Sequence, residues 1–224
     1  MDAYFICAFS RPHNAELVLT NYRRQNYQKK HLVVIENGDG LNQFPRVWDK
    51  NITVLQSPKH QSIARNTGLN HVAGISGKKC WLTLDDDDTY GSCYMPETIW
   101  YAEQYPDFII GKHRHWIKTK TLGTFLYRHP KENYLHGATL ASTCFNYRFP
   151  VVKIDEDFAL VNYFKEKNIS TSFNHYCWIR NNFGRGHTFG GTDYMIFHMN
   201  KIAKKYTDLY LPQMNNFTLP IGDL

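Results

Sequence analysis

The stretch WLTLDDDDTYG, residues 81–91, decides which fold the sequence predicts. An apolar run from Trp81 to Leu84 continues directly into four aspartates, Asp85 to Asp88. Aspartate is a poor strand residue, and neighbouring carboxylates repel one another. A buried strand that ends in this way needs a partner for its negative charge. Ligands and metals at the edge of a sheet are such partners.

The composition predicts one globular domain, residues 1–224, because 42% of the residues are hydrophobic and 15% aromatic. No apolar run approaches the roughly 20 residues that a membrane-spanning helix needs. The N-terminal segment has no basic region before its apolar run, so we expect a first strand rather than a signal peptide. Five scattered cysteines without a CxxC pair favour reduced thiols and a cytoplasmic location.

The first 110 residues alternate between apolar runs and helical patterns. The apolar runs, which predict buried strands, are residues 3–9, 31–35, 52–55 and 80–84. Helical spacing of apolar residues follows the first and third runs. This alternation predicts an α/β fold whose mostly parallel sheet is covered by helices on both faces. The sequence contains neither GxGxxG nor GxxxxGK[ST], which excludes a dinucleotide fingerprint and a P-loop.

Polar residues follow three of the predicted strands. Ser10 and Arg11 follow the first, Glu36, Asn37 and Asp39 lie at the end of the second, and Asp85–Asp88 end the fourth. The carboxyl ends of parallel strands meet at one edge of a sheet, where ligands bind. Carboxylate oxygens are the ligands that Mg²⁺ and Mn²⁺ prefer, and such a metal neutralises a diphosphate leaving group. A solvated acidic turn is the alternative interpretation of the aspartates.

The second half of the chain is basic. Residues 1–110 carry 11 Lys and Arg against 12 Asp and Glu, whereas residues 111–224 carry 15 against 8. The segment GKHRHWIKTK, residues 111–120, interleaves basic and aromatic side chains. Such segments contact phosphates and unstacked bases, so the second half is expected either to bind an anionic partner or to form a soluble basic surface.

Two motifs closely resemble the family 2 glycosyltransferases of GT-A fold. Residues 64–68, Ala-Arg-Asn-Thr-Gly, match the family's Ala-Arg-Asn-x-Gly, and residues 84–88 match its Leu-Asp-x-Asp-Asp at the expected separation. The resemblance implies a GT-A fold, which is a Rossmann-like, mostly parallel sheet with helices on both faces. It divides the chain into a nucleotide-sugar-binding half, 1–110, and a less regular acceptor-binding half, 111–224.

The resemblance also implies an activity and a set of site residues. The activity is a metal-dependent, inverting transfer of a sugar from a nucleotide-sugar donor, most often a UDP-sugar, to an acceptor hydroxyl. Asp157 is the implied general base, and Asp87, Asp88 and His187 are the implied ligands of Mn²⁺ or Mg²⁺. The implied substrate-binding residues are Phe9, Ser10, Arg11, Glu36, Asn37, Arg65, Asp85, Asp86, Glu156, Trp178 and Arg180.

Several of these roles have alternatives. Strand alternation puts Asp85 and Asp87 on one face, so Asp86 is either structural or a ligand. Arg65 either contacts the donor pyrophosphate or pairs with the aspartates. His187 either completes the metal site or hydrogen-bonds to the backbone of its loop.

The acceptor is expected to be a glycan or a hydroxylated base in DNA. The DNA alternative rests on the basic second half and on a small size and composition similar to compact phage enzymes, and it requires the base to leave the duplex. For a phage-encoded protein, the expected location is the cytoplasm of the bacterial host. Two other classes compete with a glycosyltransferase. One is a sugar nucleotidyltransferase, which normally has a Gly-rich basic loop after the first strand that this sequence lacks. The other is a non-catalytic carbohydrate- or nucleic-acid-binding module.

Overall fold

The computed structural model describes residues 1–57, 60–106, 108–112, 114–119, 123–128, 136–151, 168–171 and 178–182. Side-chain surroundings are described for residues 1–57, 60–106, 108–111 and 136–151. The strands are β1 (Asp2–Phe9), β2 (Lys30–Glu36), β3 (Ile52–Gln56), β4 (Lys79–Asp85), β5 (Thr89–Tyr90), β6 (Ile109–Lys112), β7 (Arg114–Thr119), β8 (Gly123–Arg128), β9 (Ala141–Ser142), β10 (Asn168–Thr171) and β11 (Trp178–Asn182). The helices are α1 (Ala15–Arg23), α2 (Gln61–Ala73) and α3 (Tyr94–Gln104), and 3₁₀ turns lie at Pro12–Asn14, Gly38–Gly40 and Gly137–Thr139.

Among the described residues, the main sheet has seven strands in the order β10-β6-β9-β4-β1-β2-β3. β1 pairs in parallel with both β2 and β4, and β2 pairs in parallel with β3, whereas β9 is antiparallel to β4 and β6. The mostly parallel sheet predicted from the sequence is therefore confirmed. The chain leaves β1 for β2 on one side and reaches β4 on the other, so strand order reverses between β1 and β4. Ligands bind at this kind of reversal.

The two faces of the sheet are both buried, as predicted. Side chains alternate along a strand, so β1 serves two cores. Phe5 and Phe9 pack in the core that includes residues of α1 and α3, whereas Tyr4 and Ile6 pack in the core that includes residues of α2. Each large apolar side chain that is fully buried in this way stabilises the fold by about 1.5–3 kcal/mol.

Helix α2 lies close against the sheet at Gly68. A Cβ atom at this position would lie 2.6 Å from Ile6 Cγ2 and 2.8 Å from Ile35 Cδ1. Both distances are shorter than a carbon–carbon contact allows. The glycine of the Ala64–Gly68 motif therefore sets the distance between α2 and strands β1 and β2.

In the part of the chain that the structure describes, a second sheet has four strands in the order β5-β11-β7-β8. β7 and β8 form an antiparallel pair, so part of the basic segment at residues 111–120 is a strand. β11 pairs in parallel with β7 and antiparallel with β5. Because β5 begins directly after Asp88, this sheet starts at the aspartates. The helix expected after Asp157 lies outside the described residues.

The cysteines differ from the sequence-based expectation at one position. Cys7, Cys80 and Cys144 are free, and burial raises the pKa of the Cys7 and Cys80 thiols. Cys93 is disulfide-bonded, so the expectation of reduced thiols throughout the chain is wrong at Cys93. The spacing of cysteines along the chain does not report which of them meet in space. In the described part of the chain, no helix combines the length and apolar character needed to cross a bilayer.

The close approach at Gly68 predicts the effect of adding one methyl group. Gly68→Ala should lower the free energy of unfolding by about 1–3 kcal/mol, because the methyl group forces α2 and β1 apart. Gly74→Ala, at the end of the same helix, should change it by about 0.5 kcal/mol or less, since a Cβ there comes no closer than 3.5 Å to its neighbours. Urea unfolding followed by circular dichroism measures both. Equal effects of the two substitutions would contradict the packing role of Gly68.

Candidate active site

The four aspartates form a turn that is anchored at both ends. The backbone N–H of Asp85 donates to the hydroxyl of Tyr90 at 2.9 Å, and that hydroxyl donates to the carbonyl of Ala138 at 2.8 Å. Burial raises the pKa of Tyr90, which keeps the hydroxyl protonated and able to donate. At the other end, Asn21 donates to the carbonyl of Asp88 at 2.7 Å and accepts from the N–H of Tyr90 at 3.0 Å.

Asn21 and Tyr90 are site-forming residues that the sequence-based argument missed. Asn21 is fully buried although it lies inside α1. A polar residue between Val18 and Tyr22, which belong to the apolar side of that helix, was the available signal. Because a buried amide must find hydrogen-bond partners, its position indicates a buried polar turn nearby.

Asp86 joins the end of β4 to the end of β1. Its carboxylate accepts from the backbone N–H of Ser10 at 2.8 Å and from that of Arg11 at 3.0 Å, and it also pairs with the Arg11 guanidinium. Asp86 is only 2% exposed. These contacts favour the structural alternative for Asp86, because they occupy its oxygens with the chain itself. They also fix Ser10 and Arg11, both predicted substrate-binding residues, beside the aspartates.

Arg11 is shared between two carboxylates. Its Nη1 contacts Asp86 and lies 3.2 Å from Oδ2 of Asp87. Burial lowers the pKa of Arg11, but the charges of Asp86 and Asp87 raise it by more, so the net shift is upward. The guanidinium is therefore a permanent positive charge at the edge of the site.

Arg65 pairs with the aspartates rather than standing free for a ligand. Its Nη2 lies 2.5 Å from Oδ1 of Asp85, and the residue is only 2% exposed. The guanidinium also stacks over the ring of Phe149 at 5.3 Å. Of the two roles expected for Arg65, the structure therefore contains the ion pair.

Three of the four aspartates form a group that can hold a metal. Asp85, Asp87 and Asp88 each offer one carboxylate oxygen, and these oxygens lie within 4.8 Å of one another. Oxygens on opposite sides of a Mg²⁺ ion are about 4.2 Å apart, because each bond is about 2.1 Å long. Small side-chain rotations would close the difference, so the donor set fits a hard divalent cation. The group includes the predicted ligands Asp87 and Asp88 and adds Asp85; His187 lies outside the described residues.

The end of β2 is arranged differently from the prediction. The carboxylate of Glu36 is fully buried, accepts from the N–H of Phe44 at 2.8 Å and lies 3.4 Å from a nitrogen of Arg46. It therefore holds the loop that follows β2. The neighbouring Asn37 is 3% exposed, and its Oδ1 has no hydrogen-bond partner among the described residues. Asn37 is thus the residue at this strand end with an acceptor to offer a ligand.

Phe9 supports the site from behind. Its ring is fully buried and meets the ring of Phe44 edge-on at 5.1 Å, while its carbonyl accepts from the N–H of Asn37 at 2.9 Å. A Cβ on Gly40 would lie 2.3 Å from the same carbonyl, so the loop can pass there only because residue 40 is glycine. A direct ligand contact by the Phe9 ring would require this core to open.

The remaining predicted residues belong to the second half. The backbone of Trp178 pairs with Tyr90, and Arg180 lies two residues further along the same strand. This register places β11 next to the segment that follows the aspartates. Glu156 and Asp157 lie outside the described residues.

The contacts of Asp86 predict a measurable loss of stability. Asp86→Asn should lower the free energy of unfolding by about 1–3 kcal/mol, because a buried charge-assisted acceptor becomes a neutral amide beside Arg11. Asp39→Asn, at an exposed position, should change it by about 0.5 kcal/mol or less. Chemical denaturation at neutral pH compares the two. An Asp86→Asn protein as stable as the parent would contradict the structural role.

Comparison with known structures agrees with this fold. The chain is similar to the crystal structure of S. aureus TarS 1-349 in complex with UDP-GlcNAc, with a TM-score of 0.58, 13% identity, and coverage of 84% of this chain and 60% of that one. The complex of the same fragment with UDP gives a TM-score of 0.54, 12% identity, and coverage of 81% and 60%. A further crystal structure of S. aureus TarS gives a TM-score of 0.56, 13% identity, and coverage of 81% and 37%. This chain thus spans about 60% of the TarS fragment, and the likeness confirms the expected GT-A fold.

Comparison by sequence gives the family. A search of curated protein sequences finds no match to the chain. The family model described as Glycosyl transferase family 2 matches residues 4–153, which include most of β1, all of β2 to β4, the Ala64–Gly68 motif and the aspartate turn. Since this match covers more than half of the chain, the protein belongs to glycosyltransferase family 2.

Proposed function

We propose that this protein is a metal-dependent, inverting glycosyltransferase that moves a sugar from a UDP-sugar to an acceptor hydroxyl. The observation that carries the proposal is the carboxylate group of Asp85, Asp87 and Asp88 at the reversal of strand order, in a chain of family 2. A solvated acidic turn would not need two anchored ends, a buried Asp86 and a buried arginine partner for Asp85.

The nucleoside binds at the ends of β1 and β2 in this proposal. Asn37 supports this position, because its buried Oδ1 lacks a partner among the described residues and its side-chain amide carries both an acceptor and donors. The N3–H and O4 of uracil present the complementary pair. The TarS structures, which were determined with UDP and with UDP-GlcNAc, support the choice of a uridine nucleotide.

The diphosphate lies over the aspartate turn. Asp87 and Asp88 would hold the Mn²⁺ or Mg²⁺ ion with Asp85 beside them, and His187 is the additional ligand implied by the family resemblance. When bound, the ion neutralises the charge that develops on the leaving diphosphate. Arg11 lies next to Asp87 and adds a fixed positive charge to the same region.

The chemical step is a single displacement. The acceptor oxygen forms a bond to the anomeric carbon, the bond from that carbon to the diphosphate oxygen breaks, and the acceptor proton moves to the carboxylate of Asp157. Attack from the side opposite the leaving group inverts the anomeric configuration. Glu156 and Asp155 adjoin Asp157 in the sequence, and neighbouring negative charges make an ionised carboxylate a stronger proton acceptor.

The acceptor is assigned to the second half of the chain. Its basic composition and the segment at residues 111–120 fit a glycan that carries negative charge, and Trp178 and Arg180 follow from the family resemblance as contacts in this region. A hydroxylated base in DNA is the second acceptor that this charge favours. Both acceptors present a hydroxyl group to the proposed general base, Asp157, so the chemical step is the same for a glycan and for DNA.

A non-catalytic binding module is the competing proposal. It would bind a nucleotide sugar or a glycan without turnover. Incubation with UDP-GlcNAc and Mn²⁺ separates the two proposals, because an enzyme of this class slowly releases UDP even to water. The binding module would be favoured if UDP-GlcNAc binds saturably but neither UDP release nor sugar transfer is detected in the presence of acceptors.

The metal assignment predicts that Asp87→Asn weakens binding of UDP in the presence of Mn²⁺ by about tenfold or more, because a charged ligand of the ion is lost. Isothermal titration of UDP with and without Mn²⁺ measures this. Glu103→Gln, which removes an exposed carboxylate beside Lys78 at the opposite end of β4, should leave the affinity unchanged. Equal affinity of the parent and the Asp87→Asn protein for Mn²⁺ and UDP would refute the metal assignment.

The base assignment predicts that Asp157→Asn lowers transfer by about 100-fold or more and leaves UDP-GlcNAc affinity within about twofold of the parent. Mass spectrometry after incubation with UDP-sugars, oligosaccharides and hydroxymethylated duplex DNA identifies the acceptor and the transferred sugar. If transfer by Asp157→Asn stays near the parent rate, another residue is the base.

Binding to duplex DNA that does not weaken with salt would count against a DNA acceptor, because phosphate contacts release counterions.

A further inference from the structure

The side chain of Asn66 forms hydrogen bonds with both backbone polar groups of a distant residue, Phe149. Its Nδ2 donates to the carbonyl of Phe149 at 2.9 Å, and its Oδ1 accepts from the N–H of Phe149 at 2.8 Å. The two residues are 83 positions apart in the sequence. A pair of hydrogen bonds of this kind fixes both the position and the orientation of a peptide segment, as neighbouring strands do in a sheet. The next residue, Pro150, has no N–H to strengthen the attachment.

Phe149 is in turn the surface on which Arg65 rests. The residue is 4% exposed, and its ring meets Trp81 of β4 at 6.1 Å on one side. The guanidinium of Arg65 lies over the same ring at 5.3 Å. A guanidinium is planar and stacks on aromatic rings, so the ring limits the directions in which Arg65 can point. The observed direction is toward Asp85, at 2.5 Å.

The two consecutive residues Arg65 and Asn66 therefore act on one partner in different ways. Asn66 fixes the backbone of Phe149, and Phe149 supports Arg65 with its ring. Arg65 then fixes the carboxylate of Asp85, which supplies one of the three oxygens of the proposed metal group. Each contact in this chain joins buried or half-buried groups, so water does not readily replace any of them.

We propose that Asn66 is a positioning residue that orients Asp85 through Phe149 and Arg65. Asn66 does not contact the donor itself. Its functional consequence rests on the donor site proposed above, because Asp85 matters to catalysis only if the nucleotide sugar and its cation bind there. Without Asn66, Phe149 and its ring shift, Arg65 loses its support, and Asp85 loses the partner that fixes its direction.

The first test measures stability and does not depend on the function. Asp85→Asn alone should lower the urea midpoint of unfolding, because Arg65 is left buried without its carboxylate. In the Asn66→Ala background, where Arg65 has already moved, the same substitution should shift the midpoint by less than half as much. Additive shifts would overturn the proposal, since residues that do not interact have additive effects.

A second variant and a matched control keep the result interpretable. Phe149→Leu retains an apolar side chain and the backbone contacts of residue 149 but removes the aromatic ring, so it should reduce the Asp85→Asn shift as Asn66→Ala does. It also replaces Asn66→Ala if that protein does not fold. Asn70→Ala removes an exposed asparagine one turn further along α2 and should leave the Asp85→Asn shift unchanged.

The second test measures the functional consequence. Asn66→Ala should weaken binding of UDP in the presence of Mn²⁺ by about three- to tenfold, and this loss should disappear in an Arg65→Ala background. A loss of equal size in both backgrounds would show that Asn66 does not act through Arg65. If the parent protein does not bind UDP with Mn²⁺, the proposed function fails, and the urea experiment alone decides the role of Asn66.

Discussion

The carboxylate of Asp86 connects the ends of the two central strands, and the candidate site depends on that connection. β1 and β4 are neighbours in the sheet, but a parallel pair has no turn that joins its carboxyl ends. Asp86 supplies the missing link through the backbone of Ser10 and Arg11. With this link in place, the basic end of β1 lies against the acidic end of β4, and Arg11 also comes within 3.2 Å of Asp87.

The charges at this edge of the sheet are arranged in two groups. Four carboxylates lie on the turn, and two guanidiniums, Arg11 and Arg65, pair with three of them. Two negative charges therefore remain, which matches the charge of one divalent cation. The two arginines reduce the net charge of the turn to about half that of its four carboxylates, so the turn can fold without the proposed cation. With this arrangement of charges, the folding of the aspartate turn does not depend on the presence of the proposed cation.

The sequence predicts what depends on local pattern and misses what depends on distant contacts. The buried strands and the meeting of three strand ends followed from apolar runs and from the geometry of parallel sheets. Glu36 was expected to face a ligand, but strand periodicity does not show that its carboxylate turns to the backbone of Phe44. The contact between Asn66 and Phe149 was not predictable, because nothing near either residue indicates a partner 83 positions away. The disulfide at Cys93 escaped prediction for the same reason.

The spacing of residues on α2 restricts how this helix can change. Successive residues of a helix are separated by about 100° around its axis and 1.5 Å along it. Gly68 fixes how far the axis lies from the sheet, while the ion pair of Arg65 and the hydrogen bonds of Asn66 fix its rotation and its axial position. An insertion or deletion of one residue before Arg65 would rotate all three out of place together. These contacts hold α2 at one distance and one rotation relative to the sheet, and its sequence can vary only at positions that leave this alignment intact.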